Sequence, residues 1–112
     1  CGASAGLGFA CAKALVKEGV DVLIVARTEG PLANAAEQLQ ALQGGQVSYL
    51  AADVTSAEGR SHIFSTSSDF DILVTNAGGP PSGDFRNWVR EDWLKAIEAN
   101  MLSPIELMKQ TV

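Results

Sequence analysis

Three glycines, Gly2, Gly6 and Gly8, stand at the head of a helical pattern, and this spacing narrows what the chain can become more than any other feature. Within Gly2-Ala3-Ser4-Ala5-Gly6-Leu7-Gly8 the missing side chains let the backbone turn tightly and leave it open to close approach. The helix that follows begins with unpaired N–H groups and the positive end of its dipole, a seat for an anion such as a pyrophosphate. A glycine cluster is equally the mark of an ordinary tight turn, so its meaning depends on what comes next.

What comes next alternates between two periodicities. Leu7, Cys11, Ala14 and Leu15 recur at helical spacing, with Lys13, Lys17 and Glu18 elsewhere on the wheel and Gly19 as a stop. Residues 20–26, Val-Asp-Val-Leu-Ile-Val-Ala, read as a short strand covered on both faces. Pro31 suits the first turn of a second helix, whose Leu32, Ala35, Ala36, Leu39 and Leu42 share one face until Gly44 and Gly45. Residues 47–52 and 72–75 are expected as two more strands, separated by a weaker helix over about 57–64. A last helix is expected over about 91–110, with Leu94, Ile97, Met101, Ile105 and Met108 on a common side and Asp92 or Asn87 as its cap.

Parallel neighbours need a covering crossover between them, so the alternation predicts an α/β fold, a Rossmann-type doubly wound parallel sheet, with residues 1–112 as one domain. The chain opens on the glycine turn, with neither a Met nor a strand ahead of it. The expectation is therefore an incomplete domain, lacking a first strand and a C-terminal half. Strands short of a neighbour carry unpaired backbone groups, so poor stability or association is expected of the segment alone.

Charge and cysteine usage exclude several classes. Eight Lys plus Arg against thirteen Asp plus Glu leave a net charge of −5, the wrong sign for a general grip on nucleic acid. The longest aliphatic run, 22–26, is far short of the roughly 20 apolar residues that span a bilayer. No basic-then-apolar leader opens the chain, so a cytoplasmic setting is expected. Cys1 and Cys11 stand outside any Cys-x-x-Cys or His-rich pattern, so neither a metal site nor a disulfide is expected.

Ala26-Arg27-Thr28 ends the first strand about 20 residues after the glycines, where a dinucleotide fold meets the adenosine ribose. A carboxylate there would suit NAD. Ala26 removes that carboxylate and Arg27 supplies a guanidinium able to grip a 2′-phosphate, so NADP is the expected cofactor. The alternative is a solvated Arg27 paired with Glu29.

Together, the Gly-x-x-x-Gly-x-Gly spacing, Asp53-Val54 after the 47–52 strand and Thr75-Asn76-Ala77-Gly78 closing the 72–75 strand resemble the short-chain dehydrogenase/reductase family over essentially the whole chain. Within it the sequence looks nearest to the 3-oxoacyl-acyl-carrier-protein reductase-like group. The resemblance implies that Gly2, Ser4, Ala5, Gly6, Leu7 and Gly8 line the cofactor phosphates and nearby ribose. Arg27 and Thr28 would meet the adenosine side, Asp53 and Val54 would flank the adenine, and Asn76, Ala77 and Gly78 would border the cofactor. Cys1 departs from the usual threonine, and Thr75 from a frequent asparagine. Locally, Asp53 also reads as a cap and Asn76-Ala77-Gly78 as a plain turn.

Asn100 looks like the asparagine of the family's catalytic tetrad, which helps hold a water for proton relay. Independently, Pro104 has no N–H to give to the carbonyl four residues earlier, so the helix is expected to kink there and release the Asn100 backbone oxygen. Asn100 is otherwise only a polar residue beside a kink. The family's chemistry further relies on a Ser and a Tyr-x-x-x-Lys pair, whose lysine lowers the tyrosine pKa. Tyr49 is the one tyrosine and Asp53 stands four residues later, so that chemistry is expected beyond Val112 and the segment alone is expected to be inactive.

His62 reads as a surface residue, and Trp88, Trp93 and Phe85 as core or subunit packing rather than a substrate cage. The loop 78–83 either borders substrate or only connects. The resemblance implies NADPH-dependent reduction with a small-molecule carbonyl or alcohol as substrate, in a homo-oligomer that neither spans a membrane nor binds nucleic acid. A non-catalytic dinucleotide-binding or assembly module is the alternative. Methyltransferases also place glycines before a helix, whereas the Gly-x-x-Gly-x-x-Gly of extended sugar-nucleotide epimerases does not match Gly2, Gly6 and Gly8.

Overall fold

The computed structural model describes residues 1–79 and 82–112. Helix α1 (Gly6–Lys17) leads to strand β1 (Val22–Ala26), and helix α2 (Glu29–Gln40) crosses back to strand β2 (Val47–Ala51). The strands pair in parallel, with Val22 opposite Val47 and Ala26 opposite Ala51. A parallel pair cannot be joined by a tight turn, and α2 supplies the covering crossover.

The expected face of α2 is the observed one: Leu32, Ala35, Ala36 and Leu39 are buried, and with Ile24, Val16 and Ala12 they form the main core. Successive strand residues point to opposite sides, so buried Ile24 meets this core and buried Val25 serves the other face. The chain is thus α/β, with helices laid on a parallel sheet.

Helix α1 turns a different face inward from the one its hydrophobicity suggests. Gly8, Ala12 and Val16 are buried, whereas Leu7 is 79% exposed and Cys11 lies open. A Cβ on Gly8 would stand 2.3 Å from the Gly2 carbonyl oxygen, so the inward face is chosen for smallness where helix meets backbone.

Residues 72–75 join no ladder, contrary to the strand expected there. A cavity of about 500 Å³ separates them from β1, lined by Val22 to Val25 on one side and Ile72 to Val74 on the other. The opening segment reaches across: the Cys1 amino group donates to the Val74 carbonyl at 3.1 Å and the Ala3 N–H to the Val25 carbonyl at 3.2 Å. Strand composition is present; a partner at ladder distance is not.

Helix α3 (Ala57–Thr66) follows β2, with Ser56 as N-cap accepting from the Gly59 N–H. The last helical segment comprises α4 (Arg90–Ile97), a π-helical turn over Glu98–Leu102, and α5 (Ser103–Thr111). The Asp92 carboxylate accepts from the Val89 N–H at 3.1 Å, the reach-back half of a capping box, while Asn87 lies in a separate 3₁₀ turn over Phe85–Asn87. The stripe Leu94, Ile97, Met101, Ile105 and Met108 is exposed, and the buried residues of this segment are instead Ser103 and Leu107. Of the loop 78–83, Pro80 and Pro81 lie outside the described residues.

Candidate functional site

The glycine turn holds the backbone in a form that other residues resist. Gly2 and Gly6 have φ of +56° and +59°, the left-handed region. A Cβ on Gly2 would also fall 2.8 Å from Asn76 Nδ2, and that amide donates to the Gly2 carbonyl at 3.4 Å. The N-cap of α1 is Ala5, which offers no side-chain acceptor, so the first-turn N–H groups meet no cap from their own helix.

Around this turn lies a cleft of about 330 Å³. It brings together Gly2 and Ser4 of the turn, Arg27 and Thr28 after β1, Asp53 and Val54 after β2, and the stretch Asn76, Ala77 and Gly78. These are nine of the residues singled out from sequence. Ala5, Gly6, Leu7 and Gly8 do not line it; Gly8 faces the cavity beside β1 instead. Arg27 is exposed at the rim, and neither of the ion pairs among the described residues, Arg86 with Asp84 and Lys109 with Glu106, involves it. The Arg27–Glu29 pair of the alternative reading is therefore absent among those residues.

Asp53 is held ionised by its surroundings. The Thr55 hydroxyl and N–H both donate to Asp53 Oδ1, at 2.7 and 2.9 Å, and the guanidinium groups of Arg27 and Arg60 add a weaker attraction. These contacts, the Thr55 hydroxyl foremost, keep the carboxyl below the ordinary aspartate range. The cleft thus sets a negative group near the Arg27 guanidinium, which joins no ion pair among the described residues.

A second cleft of about 200 Å³ adjoins the first through Val54, Asn76, Ala77 and Ala99. Asn100 lines it from the π turn and Ser103 from the start of α5. Asn100 Nδ2 donates to the Ala96 carbonyl at 3.0 Å, a bond within its own helix. The Ser103 N–H and hydroxyl both turn back to Glu98, the hydroxyl reaching Oε1 at 3.2 Å. Ahead of Pro104, where a kink is expected, the helix carries a π turn over Glu98–Leu102.

Several residues of the site escaped sequence reasoning. Thr55 and Ser56 were legible as an Asp-x-Thr turn and a Ser-x-x-Gly cap. Ser103 and Arg60 carried no such signal, since each acts through a partner five or six residues back. Trp88 and Trp93 stack edge to face with centroids 4.9 Å apart and line neither cleft. Among the described residues, no cluster of His, Cys, Asp and Glu has the makings of a metal site.

A profile described as short chain dehydrogenase matches residues 1–112. The chain is 29% identical over 110 residues to the uncharacterized oxidoreductase YvaG of Bacillus subtilis, covering 97% of this chain and 42% of that protein. It is 31% identical over 112 residues to ketoacyl reductase HetN of Nostoc, covering 96% of this chain and 39% of that one. Among solved structures, L-sorbose reductase from Gluconobacter frateurii, complexed with NADPH and L-sorbose, superposes with a TM-score of 0.89 at 31% identity. That match covers 98% of this chain and 43% of the reductase. The chain spans less than half the length of each of these proteins.

Proposed function

The chain belongs to the short-chain dehydrogenase family, and from that premise we propose that residues 1–112 are the NAD(P)-binding Rossmann portion of an NADPH-dependent oxidoreductase acting on a small-molecule carbonyl or alcohol. The single observation that carries the cofactor choice is Arg27, unpaired among the described residues, at the rim of the cleft that also gathers Gly2, Ser4, Asp53 and Asn76. Ala26 before it offers no carboxylate to repel a 2′-phosphate.

The residues fit a dinucleotide. A Cβ at Gly2 would collide with Asn76, so the turn closes against that residue only with glycine, and its helix lacks a capping side chain. In this reading Gly2, Ser4, Ala5, Gly6, Leu7 and Gly8 serve the phosphates, and Arg27 and Thr28 the 2′-phosphate. Asp53 and Val54 serve the adenine, and Asn76, Ala77 and Gly78 border the far half. The cofactor supplies the hydride when bound. Asn100 holds a water on the proton path, while Asn76 braces the turn.

Tyr49 lies on β2 and lines neither cleft, so the segment alone binds cofactor without turning over. A 3-oxoacyl substrate is the proposed type, supported by the likeness to a ketoacyl reductase. A second copy of the chain is the proposed partner, supported by the exposed apolar stripe on α4 and α5. Among the described residues no helix is long and apolar enough to cross a membrane. A cytoplasmic setting completes the reading, as two unbridged cysteines suit a reducing compartment.

Calorimetric titration with NADPH and NADH tests it. Arg27→Ala is expected to weaken NADPH binding by about tenfold or more, the value of a charge-assisted hydrogen bond, and to leave NADH unchanged. Equal losses for both nucleotides, or none, reject the assignment.

A further inference from the structure

Arg60 exerts only a weak attraction on Asp53. It lies in the first turn of α3, half-buried, and its Nη1 donates to the Val54 carbonyl at 2.9 Å, reaching back six residues. Among the described residues it joins no ion pair. A long, flexible cation in the first turn of a surface helix would ordinarily extend into water, and ordering it costs side-chain entropy. Here it is spent on one backbone oxygen, and that oxygen belongs to a residue lining both clefts.

The first turn of α3 is pressed onto the same loop by independent contacts. A Cβ on Gly59 would stand 2.0 Å from the Asp53 carbonyl oxygen, so only glycine allows the approach. The Ser56 hydroxyl donates to that carbonyl at 3.0 Å while accepting from the Gly59 N–H at 3.0 Å. The Arg60 N–H closes on the Ser56 carbonyl at 3.1 Å. Helix and loop therefore form one hydrogen-bonded unit, and the Arg60 guanidinium is the tie that reaches past Asp53 to fix the Val54 peptide.

We propose that Arg60 is a positioning residue for the adenosine end of the cleft: through the Val54 carbonyl it holds the 53–55 backbone in the form that receives the nucleobase. The proposal rests on the cofactor-site reading above. It assigns Arg60 no contact with phosphate, which separates it from Arg27. Its effect is on adenine, with or without a 2′-phosphate.

Three probes, titrated by NMR into the 112-residue chain, test it: adenosine 5′-monophosphate, adenosine 2′,5′-bisphosphate and reduced nicotinamide mononucleotide. Arg60→Ala is expected to weaken both adenosine ligands by the same factor, about tenfold for loss of a charged donor, and to leave the nicotinamide ligand unchanged. Arg60→Lys, which keeps one N–H for the carbonyl, is expected to recover most of that loss and serves as the deciding variant should the alanine protein fail to fold. A loss confined to the bisphosphate overturns the proposal in favour of direct charge reading, and equal loss of all three ligands overturns it in favour of general damage to α3. Unchanged binding in both variants overturns this inference alone. A wild-type chain that binds neither adenosine ligand overturns the cofactor-site reading and this proposal with it.

Discussion

At the proposed adenosine end of the cleft, Asp53, Val54, Ser56, Gly59 and Arg60 are joined by hydrogen bonds that span six residues at most, on a loop that leaves a paired strand. At the Asn100 end the side-chain amide sits on a π turn of a helix that buries only Ser103 and Leu107 among its described residues. The first end is built by local chemistry above a closed core, and the second depends on surfaces brought together from far along the chain. In the proposed reading, the half of the site assigned to adenosine is therefore specified by a short stretch of sequence, while the half assigned to proton relay is lined by residues as distant as Cys1, Val54 and Asn76.

The sharpest way to break this contrast is to attack the two cores in parallel. Leu39 is fully buried between α2 and the sheet, whereas Leu94 on α4 is half-exposed. Leu39→Ala is expected to lower unfolding free energy by about 2–5 kcal/mol through lost transfer energy and the cavity left behind. Leu94→Ala is expected to change it by less than about 0.5 kcal/mol. Urea denaturation of both variants checks this, and comparable losses would mean that the C-terminal helix shares the core after all.

The contrast also explains what was legible in the sequence. Helix α2 was, because Leu32, Ala35, Ala36 and Leu39 repeat apolar side chains at a helical period and the two leucines carry most of the buried area. Helix α1 was misread at its contact face, because Gly8, Ala12 and Val16 are selected for closeness to backbone and hydrophobicity counts only area. Residues 72–75 have strand composition, but a ladder is a property of two segments and no single one predicts its partner. Of the candidate site, the turn and Arg27 followed from the residues themselves, and Asp53 and the 76–78 stretch from the family resemblance; the cleft collects Gly2 and Ser4 of the turn with Arg27, Asp53 and residues 76–78. The Ser103–Glu98 and Arg60–Val54 links did not, since each is a reach-back that only the folded backbone defines.

A smaller effect concerns what covers the exposed stripe. Ile97, Met101 and Ile105 lie at helical spacing and are each 41–52% exposed, a continuous apolar strip on one side of the segment. Sedimentation at increasing concentration is expected to show association of the wild-type chain. Met101→Lys with Ile105→Lys is expected to return it to a single-chain species with its unfolding midpoint little changed. A wild-type chain that stays monomeric throughout rejects a second copy as the partner of this face. It would leave the adenosine end, which lies off the stripe, unaffected.

The smallest expected effect separates the two ends by pH. Asp53 has its carboxyl pKa lowered, chiefly by the Thr55 hydroxyl, so the folded form holds the carboxylate more tightly than the unfolded chain does. The sign follows: this contribution is fully present above the ordinary aspartate pKa and is lost as pH falls through the lowered folded value. The bond from Asn100 to Ala96 joins an amide to a carbonyl, neither of which ionises, so no such loss arises from it. In an NMR titration, the Thr55 amide resonance is expected to move at a pH below the ordinary aspartate range. Thr55→Val, which removes the strongest of the contacts, is expected to raise that midpoint towards the ordinary value. A Thr55 resonance that titrates at the ordinary aspartate pKa, unaltered by the valine, would show that the loop is not held by its own carboxylate, and the contrast between a locally built end and a distantly built one would lose its clearest support.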